Sequence, residues 1–380
     1  MRVEVRPDLL RWARERARLE PAALADRFPR LAEWERGERR PTLKQLEAFA
    51  KATHAPVGYL FLPEPPVETV PIPDFRTLGD KQVAGPSPDL LDTLHVCQQR
   101  QEWFRNFALS LNESPLPFVG AAHVGQDVRV IATAMRTALK FDVDARRALS
   151  SWTDALRQFI GQADALGVLV MVNGVVGSNN RRKLDPDEFR GFALADDLAP
   201  LVFINGADTK AAQMFTLAHE LAHIWLGQSA LSDVSPFAGE TTHRAETWCN
   251  QVAAELLVPL ELFAREYRRE AEITGELARL ARLFKVSTLV ILRRVRDVGA
   301  LTGEAFWQAY RAEAARLRAL AKPGGGDFYL TLAARVSKRF ARALVASTLE
   351  GQTLHRDAFR LLGFSKLSTF HDLSHNLGLG

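Results

Sequence analysis

MFTLAHELAHIWLG, residues 214 to 227, holds the five-residue run His219-Glu220-Leu221-Ala222-His223. On a helix, a four-residue spacing puts both imidazoles on one face, where they can converge on a single Zn²⁺. Glu220, turned about 100° from His219 around the same helix, is placed to reach a water beside that ion. Metal-assisted peptide hydrolysis requires this set of groups. Leu217 through Trp225 carry no charge outside the motif, so the helix reads as buried. A buried helix with two hydrogen-bonded histidines is the plainer alternative, and the apolar run PLVFIN at 200 to 205, just upstream, favours the metal reading.

A catalytic zinc takes three protein ligands and keeps one position open. The metzincin continuation needs a histidine six residues beyond His223; that position is Ser229, which excludes that clan. Downstream, HRAETWCNQVAAELLVP at 243 to 259 offers His243, Glu246 and Glu255. Ala245, Trp248, Cys249, Val252, Ala253 and Leu256 form one buried stripe and leave Glu246 beside it. Glu246 is therefore the preferred third ligand, on the pattern of His₂Glu zinc peptidases. His243, one turn earlier, is the alternative, either as ligand or as a proton donor. Glu255 reads as a structural or solvent-facing carboxylate.

Outward from the motif, VLVMV at 168 to 172, GFAL at 191 to 194 and PLVFIN predict a small sheet of about three strands. PLVFIN is expected at the sheet edge, where it would pair with an extended substrate. The segment VGSNNRRKLDPDEF at 176 to 189 is expected to be a loop over that cleft, with Arg181, Arg182 and Lys183 as its basic contacts; an ordinary surface loop is the alternative. Helical periodicity predicts five short helices between residues 8 and 62. The proline-rich run PEPPVETVPIP at 63 to 73 then forms a connector, and helices cover 88 to 111 and 128 to 160. Helix returns from 211 to 320, KPGGG at 322 to 326 breaks it, and a helical tail follows. The expected class is α+β, mostly α, divided into residues 1–66, 67–120, 121–300 and 301–380.

With 380 residues, 47% apolar and 25% charged, the chain is long enough for two or three packed units and excludes a disordered or fibrous protein. Two cysteines, Cys97 and Cys249, supply neither a disulfide framework nor a CxxC knuckle. The N-terminus is charged every few residues and no run approaches the roughly 20 apolar residues of a membrane span. A cytoplasmic protein without membrane contact is expected. A net charge of +4 permits nucleic-acid contact without requiring it. In the tail from 301 to 380, 11 Arg and Lys face 6 Asp and Glu, with basic side chains opposite Leu332, Val336, Phe340 and Leu344. A solvated helix face on a packed core is the expectation there, and a partner surface the alternative.

FRGFAL, PLVFIN, AAQMFTLAHELAHIWLG and AETWCNQVAAELLVP together resemble the ImmA/IrrE family of bacterial zinc metallo-endopeptidases over roughly residues 165 to 300. The resemblance implies a zincin-type fold in which His219, His223 and Glu246 hold zinc and Glu220 is the general base. Cys249, Val252 and Val258 depart from the family pattern at positions that do not touch the chemistry. WERGERRPTLKQLEAFAKATHAPVGYLFLPEPP at 34 to 66 resembles the later part of Xre-type helix-turn-helix domains, although ALADRFPRLAEW lacks their usual Gly-Val-Ser turn. In that reading Arg27, Arg30, Arg36, Arg39, Arg40 and Lys44 would meet DNA phosphates; residues 1 to 66 carry 13 Arg and Lys against 10 Asp and Glu, a modest excess for a DNA reader. A docking or dimerising module is the alternative. These resemblances imply a zinc endopeptidase that cleaves a repressor or an antitoxin in a stress or mobile-element setting. The alternative is a DNA- or toxin-binding antitoxin with little turnover, beside a PIN-like toxin encoded nearby.

Overall fold

Helices α1 (Pro7–Arg16) and α2 (Pro21–Ala25) both begin on proline, whose missing N–H and fixed φ suit the first helical position. Helix α3 (Leu31–Glu35) has five residues, and α4 (Leu43–Thr53) opens with a capping box in which Thr42 and Gln45 satisfy each other's backbone N–H groups. A 3₁₀ turn, Val57–Phe61, completes the set of five expected from periodicity. Leu9, Leu10, Phe28, Trp34, Leu46 and Phe49 form the core of this unit. The structure, a computed structural model, describes residues 1–76, 85–232, 244–320, 332 and 334–379. The chain divides into two units, Met1–Pro71 with Gln82–Leu94, and Ile72–Lys81 with His95–Gly380.

Later helices are α5 (Pro88–Ser110), α6 (Val128–Leu139), α7 (Val143–Arg147), α8 (Trp152–Leu166), α9 (Lys210–Trp225) and α10 (Arg244–Leu257). They are followed by α11 (Leu260–Glu266), α12 (Ile273–Phe284), α13 (Thr288–Asp297), α14 (Gly303–Leu320), α15 (Lys338–Leu349), α16 (His355–Leu362) and α17 (Leu367–Asn376). Among the described residues no helix is long and apolar enough to cross a membrane.

The three apolar runs form β1 (Leu169–Asn173), β4 (Gly191–Leu194) and β5 (Leu201–Asn205). A fourth strand, β6 (Ala230–Leu231), extends the sheet to the order β1-β5-β4-β6. Two residues are too few to show alternation, so the sequence gives β6 no signal. PLVFIN is not an edge. β5 pairs in parallel with β1 and antiparallel with β4, so both of its backbone sides are used. All five β5 residues are buried, as a strand covered on both faces requires. The stretch 176–189 is a loop only in part. β2 (Val175–Val176) and β3 (Asn179–Lys183) form a hairpin, and Arg181, Arg182 and Lys183 lie on its second strand.

Side chains alternate across the sheet. Val170, Ala193, Val202 and Ile204 join the core that holds α8 and α9. Their neighbours face the other way: Phe192 and Phe203 stack with centroids 5.0 Å apart, and Met171 meets Cys97 and Arg100 of α5 through its sulfur at 4.0 and 3.6 Å. The tail closes this side. Leu332, Val336, Phe340 and Leu344 are buried, Phe340 stands edge-on to Trp103 of α5, and Arg100 Nε donates to the Leu361 carbonyl at 2.9 Å. The amphipathic stripe read from the sequence is therefore a core face.

One polar contact between tail and core gives a pH dependence. Ser337, which caps α15, donates its hydroxyl to Asp164 Oδ1 at 2.9 Å. Burial pushes the Asp164 carboxyl up to about 6, against hydrogen bonds from Ser337 and Val170. Because the folded value lies above the ordinary 3.8, the folded chain holds this proton where the unfolded chain has lost it. The stability that this group contributes is then expected to fall as pH rises from about 4 to about 6 and to change no further above that. Asp164→Asn keeps an acceptor for Ser337 and removes the charge. It is expected to be more stable than the parent at pH 7.5 by about 2 kcal/mol, with the gap closing near pH 4. Thermal melts across that range check this; parallel curves would refute it.

Candidate metal centre

Helix α9 is capped by Thr209, whose side chain accepts from the Ala212 amide, and every residue from Gln213 to Trp225 is buried. Gly191 lets the helix lie directly on the sheet. A Cβ there would stand 2.6 Å from Thr216 Cγ2 and 2.7 Å from the Phe203 carbonyl, with Glu220 Cγ at 3.4 Å. This close approach fixes the height of the HExxH face above β4.

Helix α10 packs against α9 and brings Glu246, in its first turn, to the two histidines. The Nε2 atoms of His219 and His223 are 3.2 Å apart. Glu246 Oε2 lies 3.2 Å from His219 Nε2, and Oε1 lies 2.9 Å from His223 Nε2. All three side chains are fully buried, and they are the one such group of potential ligands among the described residues. Two ligands each about 2.1 Å from a tetrahedral ion stand about 3.4 Å apart, so this triangle has the dimensions of a zinc donor set. The angles point the same way. Despite these distances, neither Glu246 oxygen makes a hydrogen bond of acceptable geometry among the described residues. Three buried side chains whose ligand atoms all lie within 4.8 Å of one another, with both Glu246 oxygens lacking a hydrogen-bond partner among the described residues, fit a cation.

Glu220 stays outside the triangle. Its Oε2 accepts from Ser232 Oγ at 3.1 Å, and its Oε1 has no partner among the described residues. Burial and the charge on Glu246 push the Glu220 carboxyl up to about 8, although His219 and Ser232 pull it down. Glu246 goes the opposite way, to about 2: burial raises it, and the facing His219 and His223 outweigh that. The two carboxyls are thus pushed in opposite directions, Glu246 toward the charged form and Glu220 toward the protonated one. Burial pulls His223 below the ordinary imidazole value; in His219 burial is overcome by Glu246.

Of the other expected site residues, His243 lies outside the described residues. Glu255 is buried and structural, paired with Arg294 at 2.8 Å and accepting from the Leu260 amide. Arg181, Arg182 and Lys183 lie on β3, in a separate two-stranded hairpin that follows β1. In the N-terminal unit Arg27, Arg30, Arg36, Arg40 and Lys44 are exposed and Arg39 is half-buried. Arg36, Arg39 and Arg40 already face Glu38, Glu33 and Glu4 at 2.7, 3.5 and 3.2 Å. Three contributors were not read from the sequence: Ser232, Gly191 and Phe75. The Phe75 ring lies nearly parallel to the His223 imidazole, with centroids 6.3 Å apart.

Comparison with known proteins agrees with this geometry. Residues 163–296 match the IrrE N-terminal-like domain family, and residues 336–376 match a domain of unknown function (DUF8813). Over 91 residues the chain is 38% identical to the radiation response metalloprotease IrrE of Deinococcus radiodurans. That match spans 23% of this chain and 28% of the relative. No solved structure matches the chain. Residues 163–296 therefore carry an IrrE N-terminal-like peptidase domain, and the buried His219, His223 and Glu246 have the arrangement of an HExxH metallopeptidase with a glutamate as third donor.

Proposed function

We propose that this chain is a zinc-dependent endopeptidase that cuts a cytoplasmic protein, such as a helix-turn-helix repressor or an antitoxin. One observation carries the reading: three buried donor atoms converge while Glu220, one residue along the same helix, keeps an oxygen free of protein partners among the described residues. His219 Nε2, His223 Nε2 and the Glu246 carboxylate would hold the ion. When bound, zinc polarises the scissile carbonyl and makes water acidic enough to attack near neutral pH. Glu220 Oε1 takes the proton that the attacking water loses and returns it to the leaving amine. Ser232 holds the other oxygen, so the free one keeps a fixed direction. Full burial of all four side chains keeps bulk water from competing for that proton.

The second reading, an operator-binding antitoxin, draws on the N-terminal helical unit. Its short α3 and the carboxylates beside Arg36, Arg39 and Arg40 weaken the positive field that phosphate binding needs. The enzyme is favoured. The test is metal content together with cleavage. The purified chain is expected to hold about one zinc and to cut unfolded fluorescent casein or a repressor, with activity lost to a chelator and restored by zinc. A zinc-loaded chain that cuts nothing in casein or in a whole-cell extract would favour the binder.

A further inference from the structure

Strand β6 has one side paired with β4, through Phe192↔Leu231 and Ala193↔Ala230. Its outer side is taken by the connector. The Leu231 amide donates to the Pro73 carbonyl at 2.9 Å and the Phe75 amide donates to the Leu231 carbonyl at 2.8 Å, with Asp74 and Leu231 bridged in parallel. These are the backbone groups that an exposed edge offers to an added strand. The position of the edge matters. Leu231 precedes Ser232, which holds Glu220, and the occupying segment puts Phe75 against His223. The segment is anchored as well as paired. Buried Arg76 makes two hydrogen bonds to Asp74 through its guanidinium, at 2.9 and 2.7 Å, and stands 3.7 Å from Glu188.

We propose that the outer edge of β6 is the binding groove for an extended polypeptide with a bulky aromatic residue over His223, and that residues Pro73–Arg76 of this chain occupy that groove in cis and hold the enzyme at rest. This rests on the peptidase reading above and names both its substrate class and its control. Pro71 and Pro73 keep the connector extended before it binds, so little freedom is lost on docking. It runs parallel to β6. A substrate running antiparallel to the same edge would present its carbonyls in the reverse order, so the groove can hold one direction without cutting it and the other productively.

The test uses the full zinc-loaded chain carrying Glu220→Gln, so that nothing is cut, and a fluorescein-labelled peptide VPIPDFR copied from residues 70 to 76. Phe75→Ala in the chain loosens the cis segment, and Arg76→Ala removes its anchor without touching the ring. Each is expected to tighten peptide binding by about 10-fold or more over the parent, because a groove that is mostly filled lowers apparent affinity by its free fraction. A peptide with alanine in place of the phenylalanine should bind more weakly. In chains with Glu220 intact, the same two substitutions should raise the rate of casein cleavage. Peptide that binds neither variant, or binds parent and variants alike, overturns the groove. Hydrogen exchange covers variants that fail to fold: in the parent, the Phe75 and Leu231 amides should open together and faster than those of β5. Equal, core-like protection would make the segment permanent and overturn the control. Peptide binding that responds as expected while every form leaves casein uncut would support the groove and count against the peptidase reading.

Discussion

Glu246→Ala is expected to leave the chain folded and unable to hold zinc. The substitution removes one of three protein donors, the one whose carboxylate faces both imidazoles at 3.2 and 2.9 Å. Loss of an outer hydrogen-bond partner alone lowers metal affinity about 10- to 100-fold, and loss of a ligand exceeds that. Two histidines on one helix turn would remain, a set that binds zinc weakly and without selectivity. The fold should survive. Alanine is the best helix former, and α10 is held by Trp248, Cys249, Val252 and Leu256, which the change does not touch. Metal analysis after dialysis is expected to give about one zinc for the parent and almost none for the variant. Melting is the second readout. Zinc at 100 times its dissociation constant should stabilise the parent by about 2.7 kcal/mol, and the same zinc should leave the variant's transition unmoved. Full zinc occupancy in the variant would assign the third ligand to another group, with His243 first in line.

What could be read from sequence followed how local each signal is. The HExxH face is set by a four-residue spacing on one helix, so His219, Glu220 and His223 need no tertiary knowledge. Glu246 sits on a different helix, and its signals are a place beside the apolar stripe of α10 and the family resemblance. The apolar runs of β1, β4 and β5 were visible as strands. The central place of β5 has a signal of its own: Leu201-Val202-Phe203-Ile204 is apolar at every position, whereas an edge strand with a wet face alternates. The hairpin at 175–183 had a signal as well: Gly177-Ser178 is a two-residue connection with positive φ at the glycine, +56°. The basic run Arg181-Arg182-Lys183 after it is equally what an exposed loop carries. Ser232 and Phe75 are a different case. Both depend on a two-residue strand held through main-chain atoms, and backbone pairing leaves no mark in side-chain periodicity. In the tail, Leu332, Val336, Phe340 and Leu344 followed helical spacing, so the stripe was legible while its partner, Trp103 of α5, was not.

Glu220→Gln is expected to bind zinc as the parent does and to lose cleavage by about 10² to 10⁴-fold, the range that a positioned acid–base group contributes. The side chain lies outside the ligand triangle, with Oε2 held by Ser232 and Oε1 unpartnered among the described residues, so the amide fits without displacing a donor. Glutamine keeps shape and hydrogen bonding and cannot accept the proton of the attacking water. Burial pushes the carboxyl up to about 8, which means that it binds a proton readily. A cation at the His219, His223 and Glu246 donors adds positive charge beside it and favours its ionised form, the form a base needs. The same pair of influences lets it hand the proton on to the leaving amine. Ser232→Ala separates orientation from chemistry. It leaves both the base and the ligands, and is expected to lower turnover far less than Glu220→Gln while leaving zinc content unchanged. The two variants should be compared at equal zinc occupancy on one substrate. Cleavage by Glu220→Gln at the parental rate would remove Glu220 from the reaction, and loss of zinc from that variant would place its carboxylate among the ligands.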